Sequence, residues 1–267
     1  MLLSDYHTHS LCSPDGSYPL TEMAKAAVEA GLSELCLTDH CDLIDRDGRP
    51  DRSFRWAPIE AQLSLARPLF EGRLPLRMGL ELGEAWEDPS YARQLTSHPE
   101  LDFVLGSVHN LSSADGGVDF YFLNYRSDAD CYYVLDRYFN CMETLVGLDC
   151  WDVLAHIIYP LRYMNRRDGQ RAALNRYEPQ LRSILRRVVD SGRGIEVNTC
   201  RGETVEDWRW ILTLYKDCGG TILTLGSDAH RPQDVGKGLP QAATLLKSLG
   251  FLHTARYTRR TPELCPL

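Results

Sequence analysis

No stretch of this 267-residue chain approaches the roughly 20 consecutive apolar residues that a membrane-spanning helix needs. The first residues, Leu2-Leu3-Ser4-Asp5-Tyr6-His7, have the pattern of a strand and lack the charged start and apolar centre of a removable leader. Cysteines at CxxC spacing are absent. The nine cysteines are an odd number scattered from Cys12 to Cys265, and a chain this long does not need staples, so they read as reduced thiols of an unprocessed, cytoplasmic protein. Basic excess is absent as well. With 29 Lys and Arg against 37 Asp and Glu, the formal net charge is -8, which argues against a nucleic-acid partner because such affinity rests on clustered cations. A phosphate-binding loop is missing too: Gly236-Lys237-Gly238 has the wrong glycine spacing and no Lys-Ser/Thr ending, and a turn before the last helix accounts for it. Repeats, low-complexity tracts and linkers are also lacking, so residues 1–267 are expected to form a single domain.

What is present is an ordinary globular composition, 43% hydrophobic and 25% charged, with short apolar runs alternating with helical patterns. The runs at Leu2 to Tyr6, Leu35 to Thr38, Leu76 to Leu80, Phe103 to Val108, Val153 to Ala155, Ile195 to Asn198 and Ile222 to Gly226 predict seven strands. Helices are predicted at Thr21 to Ala30, Pro58 to Phe70, Tyr91 to His98, Ala129 to Val146, Tyr177 to Ser191, Val205 to Cys218 and Leu239 to Leu249. Gly31, Gly192 and Gly219 stand where left-handed helix caps belong, and Pro58 suits a first helical turn. Alternation of this kind implies parallel pairing with both sheet faces covered, so an α/β barrel, closed or nearly closed, is the natural solution. Two polar stretches, Cys41 to Ala57 and Leu111 to Ser127, are long for βα connections and are expected to shape one rim.

Six of the eight histidines, His7, His9, His40, His109, His156 and His230, fall at or just after predicted strand ends; His98 and His253 do not. In a parallel barrel all C-terminal strand ends face one rim, so these residues converge. His7 and His9, at i and i+2, point to one side of an extended chain and can share a metal, and Asp228 and His230 repeat that spacing. Glu81 ends the third strand, where a carboxylate can bridge two cations. Asp15 sits in the Gly-, Pro- and Ser-rich loop after the first strand, within reach of the same rim, where a turn-forming role is the commoner one for an aspartate taken alone. Each histidine taken singly is equally a hydrogen-bonded core or loop residue; the accumulation at strand ends is what packing alone does not explain.

His7-Thr8-His9, Thr38-Asp39-His40, Gly79-Leu80-Glu81, Ser107-Val108-His109, His156, Glu196-Val197-Asn198-Thr199 and Gly226-Ser227-Asp228-Ala229-His230, in that order over nearly the whole chain, resemble the PHP (polymerase and histidinol phosphatase) family, in particular its stand-alone histidinol-phosphatase branch. The resemblance implies a distorted, seven-stranded (β/α)7 TIM-like barrel with three divalent metal ions. It further implies one metal on His7, His9, Glu81 and Asp228, a second on Glu81, His109 and His156, and a third on Asp15, His40 and His230. At the Asp15 position the family also uses histidine. Zn, Mn and Fe all suit mixed nitrogen and oxygen ligands.

The activity implied is hydrolysis of a small phosphate monoester, L-histidinol phosphate, in histidine biosynthesis. The alternatives are another small phosphate ester such as a nucleotide and, beyond catalysis, a regulatory metal-binding module. Asp228 and His230 are the candidates for protonating the leaving group. Arg162, in the loop Pro160-Leu161-Arg162-Tyr163, and Arg201, after Asn198-Thr199-Cys200, are candidates for a guanidinium clamp on phosphate, although surface arginines are common in this segment. Acids near Glu84 and Asp119 are candidates for holding the rest of the substrate.

Overall fold

The computed structural model describes residues 3–45 and 47–267; Leu2, in the first predicted strand, lies outside them. Seven parallel strands, β1 (Ser4–Thr8), β2 (Glu34–Leu37), β4 (Leu76–Gly83), β5 (Phe103–Ser107), β6 (Val153–Leu154), β7 (Gly194–Asn198) and β8 (Leu223–Gly226), pair in that order. The ring closes through a single parallel bridge between Thr8 and Ala229. There the His9 and Asp228 amides donate to the Ala229 and His7 carbonyls, both at 2.9 Å. The result is a nearly closed (β/α)7 barrel, as the alternation predicts.

Long helices α1 (Leu20–Glu29), α2 (Trp56–Phe70), α3 (Pro89–Thr96), α4 (Asp128–Leu145), α6 (Glu178–Asp190), α7 (Arg209–Asp217) and α8 (Leu239–Ser248) cover the outside, and one short turn, α5 (Tyr159–Leu161), follows β6. The reason is visible in their patterning: in α6, Leu181, Ile184, Leu185 and Val188 fall on one stripe and are buried against the sheet. Caps fix the ends, with Asp88 accepting from the Tyr91 amide and Ser127 from the Asp130 amide.

Two elements depart from the sequence pattern. At the start of the expected loop Cys41 to Ala57, β3 (His40–Asp42) adds to the far end of β4, pairing His40 with Glu81. The chain also ends in an antiparallel hairpin, β9 (His253–Thr258) and β10 (Thr261–Pro266), where no element is expected. Only Ala255 and Tyr257 of β9 are buried, too weak an alternation to read. Those two side chains join Tyr6, Cys36, Phe103, Leu105, Val153 and Ala155 in a core inside the barrel, at the N-terminal ends of its strands. The Tyr257 amide donates to the Tyr6 hydroxyl at 2.7 Å, and Arg260 pairs with Asp152 at 2.9 Å. With that end plugged, the C-terminal rim is where the barrel interior opens.

A bulge in β1 sets which side chains reach the two ends. Asp5 pairs with Leu35 and Thr8 with Leu37, so three steps on β1 match two on β2. Tyr6 thereby faces the apolar plug while His7 and His9 both face the open rim, the kind of local re-aiming that bulges provide.

Candidate metal centre

Glu81, fully buried on β4, is the hub. Its Oε2 lies 3.0 Å from His7 Nε2, 3.0 Å from His40 Nδ1 and 3.5 Å from His9 Nε2, and its Oε1 lies 3.0 Å from His109 Nε2 and 2.7 Å from His156 Nε2. Asp228 Oδ1 approaches His7 and His9 Nε2 at 3.6 Å each. On the outer side, Asp15 Oδ2 is 2.9 Å from His230 Nε2, and its Oδ1 is 3.8 Å from His40 Nε2. The His9 ring stacks between those of His230 and His40, at 4.0 and 4.3 Å. All nine residues singled out in the sequence therefore meet in one place, although Asp15 joins from an exposed loop.

The donor set fits divalent cations. His9 Nε2, His40 Nδ1 and His230 Nε2 are buried and make no hydrogen bond, which is rare for polar atoms unless something else binds them. Ligand atoms of His7, His9 and Glu81, of Glu81, His109 and His156, and of His9, His40 and His230 converge within bonding reach of single ions. Burial, reinforced by the neighbouring His230 and His40, holds the His9 imidazole well below its usual pKa, in the neutral form that ligates. Burial alone would raise the Glu81 carboxyl, but His7, His40 and His109 outweigh it and keep it ionised. Mixed imidazole and carboxylate donors suit Zn, Mn or Fe.

Local backbone geometry is strained around this rim. Glu84, His156, Cys200, Arg201 and Asp228 all have positive φ, between 22° and 60°, a conformation non-glycine residues avoid and that collects at functional sites. At Gly226 the constraint is steric: a Cβ would sit 2.1 Å from Glu196 Oε1 and 2.5 Å from His7 Cβ. Glycine is what lets those two side chains meet.

A cleft of about 1470 Å³ opens over the centre, lined by Arg162, Arg166, Arg167, Arg201 and Arg231, by Asp42, Asp45, Asp51 and Asp119, and by Tyr121, Tyr159 and Tyr163. Arg162 is nearly enclosed; its Nη1 donates to Asp228 Oδ2 at 2.7 Å and its Nη2 to Asn198 Oδ1 at 2.5 Å. Arg201 is exposed at the cleft wall. Asp119 faces the cleft, its carboxyl raised by burial. Glu84 does not line it: this buried side chain accepts from the His109 and Asn110 amides at 2.7 and 3.0 Å, so it braces the backbone behind a histidine and has no access to a substrate.

Sequence reading gave no role to three groups behind the histidines, Glu196, Asp42 and Ser13. Glu196 was visible only as part of a motif, and Asp42 lay in what read as a loop. His98 and His253 stand apart, His98 packed on Trp56 beside Glu60 and His253 on the terminal hairpin. His98→Ala and His253→Ala are expected to keep turnover within about twofold of the parent, since neither side chain reaches the metal centre or lines the cleft. Steady-state phosphate release checks this.

A barrel of this topology with a buried His and carboxylate cluster at its open rim defines a metal-binding α/β-barrel protein. The PHP domain family model matches residues 5–200, and the chain belongs to that family. It is similar to a histidinol-phosphatase of Lactococcus lactis (26% identical over 260 residues, 95% of this chain and 94% of the relative). A probable histidinol-phosphatase of Clostridium acetobutylicum is 28% identical over 253 residues, covering 92% and 94%. Among solved structures, the histidinol phosphate phosphatase of Lactococcus lactis, complexed with Zn, L-histidinol and phosphate, superposes with a TM-score of 0.82 at 22% identity, covering 98% of each chain. A putative histidinol phosphatase of Listeria monocytogenes gives 0.75 at 18% identity, covering 89% of this chain and 99% of that one. At these identities the superpositions establish the fold.

Proposed function

We propose that this protein is a metal-dependent histidinol-phosphate phosphatase, hydrolysing L-histidinol phosphate to L-histidinol and phosphate in cytoplasmic histidine biosynthesis, as a single-domain enzyme. The observation that carries the reading is Glu81 ringed by His7, His9, His40, His109 and His156 beneath a cleft that both arginines and aspartates line. The full-length likeness to relatives named histidinol-phosphatase supports the choice of substrate.

In this reading His7, His9, Glu81 and Asp228 would hold one divalent ion, Glu81, His109 and His156 a second, and Asp15, His40 and His230 a third. Such ions, when bound, supply activated water at neutral pH and screen the phosphoryl oxygens. The chain does the rest. Glu81, Asp228 and Asp15 offset part of the cationic charge, so that a phosphate dianion is welcome but not trapped. Arg162 and Arg201 orient the phosphoryl group by their planar forks. Water attacks phosphorus, the bond to the substrate's oxygen breaks, and that oxygen takes a proton from water held beside Asp228 and His230, which the proton released by the attacking water replaces. Asp119 and the tyrosines beside it face the cationic, aromatic remainder of the substrate. With a net charge of -8 and a concave site, a small monoester is the partner and nucleic acid is not.

The test is phosphate release from L-histidinol phosphate beside a panel of nucleotides and sugar phosphates, with protein reloaded separately with Zn, Mn and Fe. Histidinol phosphate is expected to lead in kcat/KM by at least about 10²-fold, since a site built to bond the substrate's polar groups rejects analogues that lack them. A nucleotide in first place would overturn the substrate, and stoichiometric metal without turnover would point to a regulatory module.

A further inference from the structure

Three of the inward histidines have their remote nitrogen tied to a specific partner, and the proton inventory leaves each only one neutral tautomer. His7 Nδ1 lies 2.6 Å from Glu196 Oε1. Glu196 accepts elsewhere from the Asn198 side-chain amide at 3.1 Å and the His156 backbone amide at 3.0 Å; as a carboxylate it donates nothing, so His7 carries its proton on Nδ1. His109 Nδ1 lies 2.9 Å from Asp42 Oδ1, with the same consequence. At His9 the partner is a hydroxyl, which has one proton to give and two lone pairs. Ser13 donates that proton to Asp39 at 2.9 Å and accepts from the His40 amide at 3.0 Å, so its remaining lone pair takes the Nδ1 proton of His9, 2.9 Å away. In all three rings Nε2, the nitrogen that faces Glu81, is thereby the atom free to ligate when the ring is neutral.

We propose that Glu196, Asp42 and the Ser13–Asp39 pair are positioning residues that fix His7, His109 and His9 in the Nε2-ligating tautomer, and that Glu196 in addition holds the strained His156 backbone in place. This rests on the metal-centre reading above. The partners are not interchangeable with packing: Asp42 stands at the cleft mouth, about a third exposed, where no core needs it, yet it points its carboxylate at a ring nitrogen. Glu196 is fully buried and occupies the space that Gly226 leaves empty. Groups that orient a metal-bound histidine and raise its basicity generally govern affinity by about 10- to 100-fold.

The experiment compares Asp42→Ala, Asp42→Asn, Glu196→Gln and the parent protein. It measures zinc affinity by chelator competition, the melting temperature of the metal-free proteins, and the ring tautomers by 15N chemical shifts. Asp42→Ala is expected to weaken zinc binding by about 10- to 100-fold and to populate the other His109 tautomer, with the metal-free melting temperature unchanged. Asp42→Asn keeps an accepting oxygen and is expected to recover most of the affinity. Glu196→Gln is expected to behave likewise at His7; should it fail to fold, the Asp42 pair decides. Zinc affinity and tautomers like the parent's in Asp42→Ala would overturn the proposal, as would an Asp42→Asn protein no better than Asp42→Ala, or a loss of metal-free stability in Asp42→Ala that accounts for its weaker binding. These readouts need no substrate, so an incorrect substrate leaves them untouched, while a parent protein that binds no zinc would overturn the metal centre itself.

Discussion

Glu81→Ala is expected to leave the protein without stoichiometric metal after dialysis and to lower kcat/KM by about 10²- to 10³-fold or more. Five imidazoles surround this one carboxylate at 2.7–3.5 Å, and both oxygens are used. Removing one partner from a buried charged cluster typically costs about 3–5 kcal/mol, because the groups left behind stay desolvated and uncompensated; at 1.36 kcal/mol per decade this gives the stated range. His7, His40 and His109 each owe an elevated pKa partly to Glu81, which outweighs their burial together with the other nearby carboxylates. Without it those rings lose their shared counter-charge, and an incoming cation loses the carboxylate at the centre of the cluster. Glu81→Gln keeps the shape and loses the charge, so it is expected to fail nearly as badly. Metal analysis beside steady-state kinetics and circular dichroism decides the point, and a folded Glu81→Ala protein with normal metal content would remove Glu81 from the centre. Asp15→Ala is the useful contrast: that side chain is 57% exposed and touches only the outer histidines, so a smaller loss, confined to one ion, is expected.

How much of this was legible beforehand follows from what each feature needs. The seven parallel strands were readable because most contain a short buried apolar run set between helical patterns, and the six inward histidines because barrel geometry turns strand ends into one rim. β3 was hidden because its three residues have no period of their own; Glu81–Gly83 of β4 recruit them. The hairpin was hidden because its partner is the barrel floor, three-dimensional neighbours such as Tyr6 and Phe103 that lie far away in sequence. Glu84 illustrates a different limit. Composition marks an acid near the site, but only coordinates reveal that its oxygen faces the His109 amide and not the cleft. The same holds for Glu196 and Asp42, whose significance lies in which ring nitrogen they meet.

Arg162→Ala is expected to keep its metal and lose about 10²- to 10³-fold in kcat/KM, roughly 2.7–4 kcal/mol, the scale seen when one preorganised donor to a developing oxyanion is removed. The guanidinium spans Asp228 and Asn198 at the cleft floor, and its Nε is buried without a hydrogen bond, so it already has a fixed orientation before substrate arrives. Moving an Nη from Asn198 to a phosphoryl oxygen costs little, since Asn198 Oδ1 still accepts from the Cys200 amide at 2.8 Å. Asp228 is not left adrift by the substitution either. Its oxygens keep the Asn198 amide at 3.3 Å and the His7 and His9 rings, and its backbone stays tied to His7. That is why metal content and substrate handling are expected to separate in this variant, with KM rising and kcat falling. Arg162→Lys should not rescue it, because an ammonium cannot bridge Asp228 and a phosphoryl group as a planar fork does. Loss of metal together with activity would instead make Arg162 a brace for Asp228, and would leave the exposed Arg201 as the clamp on phosphate.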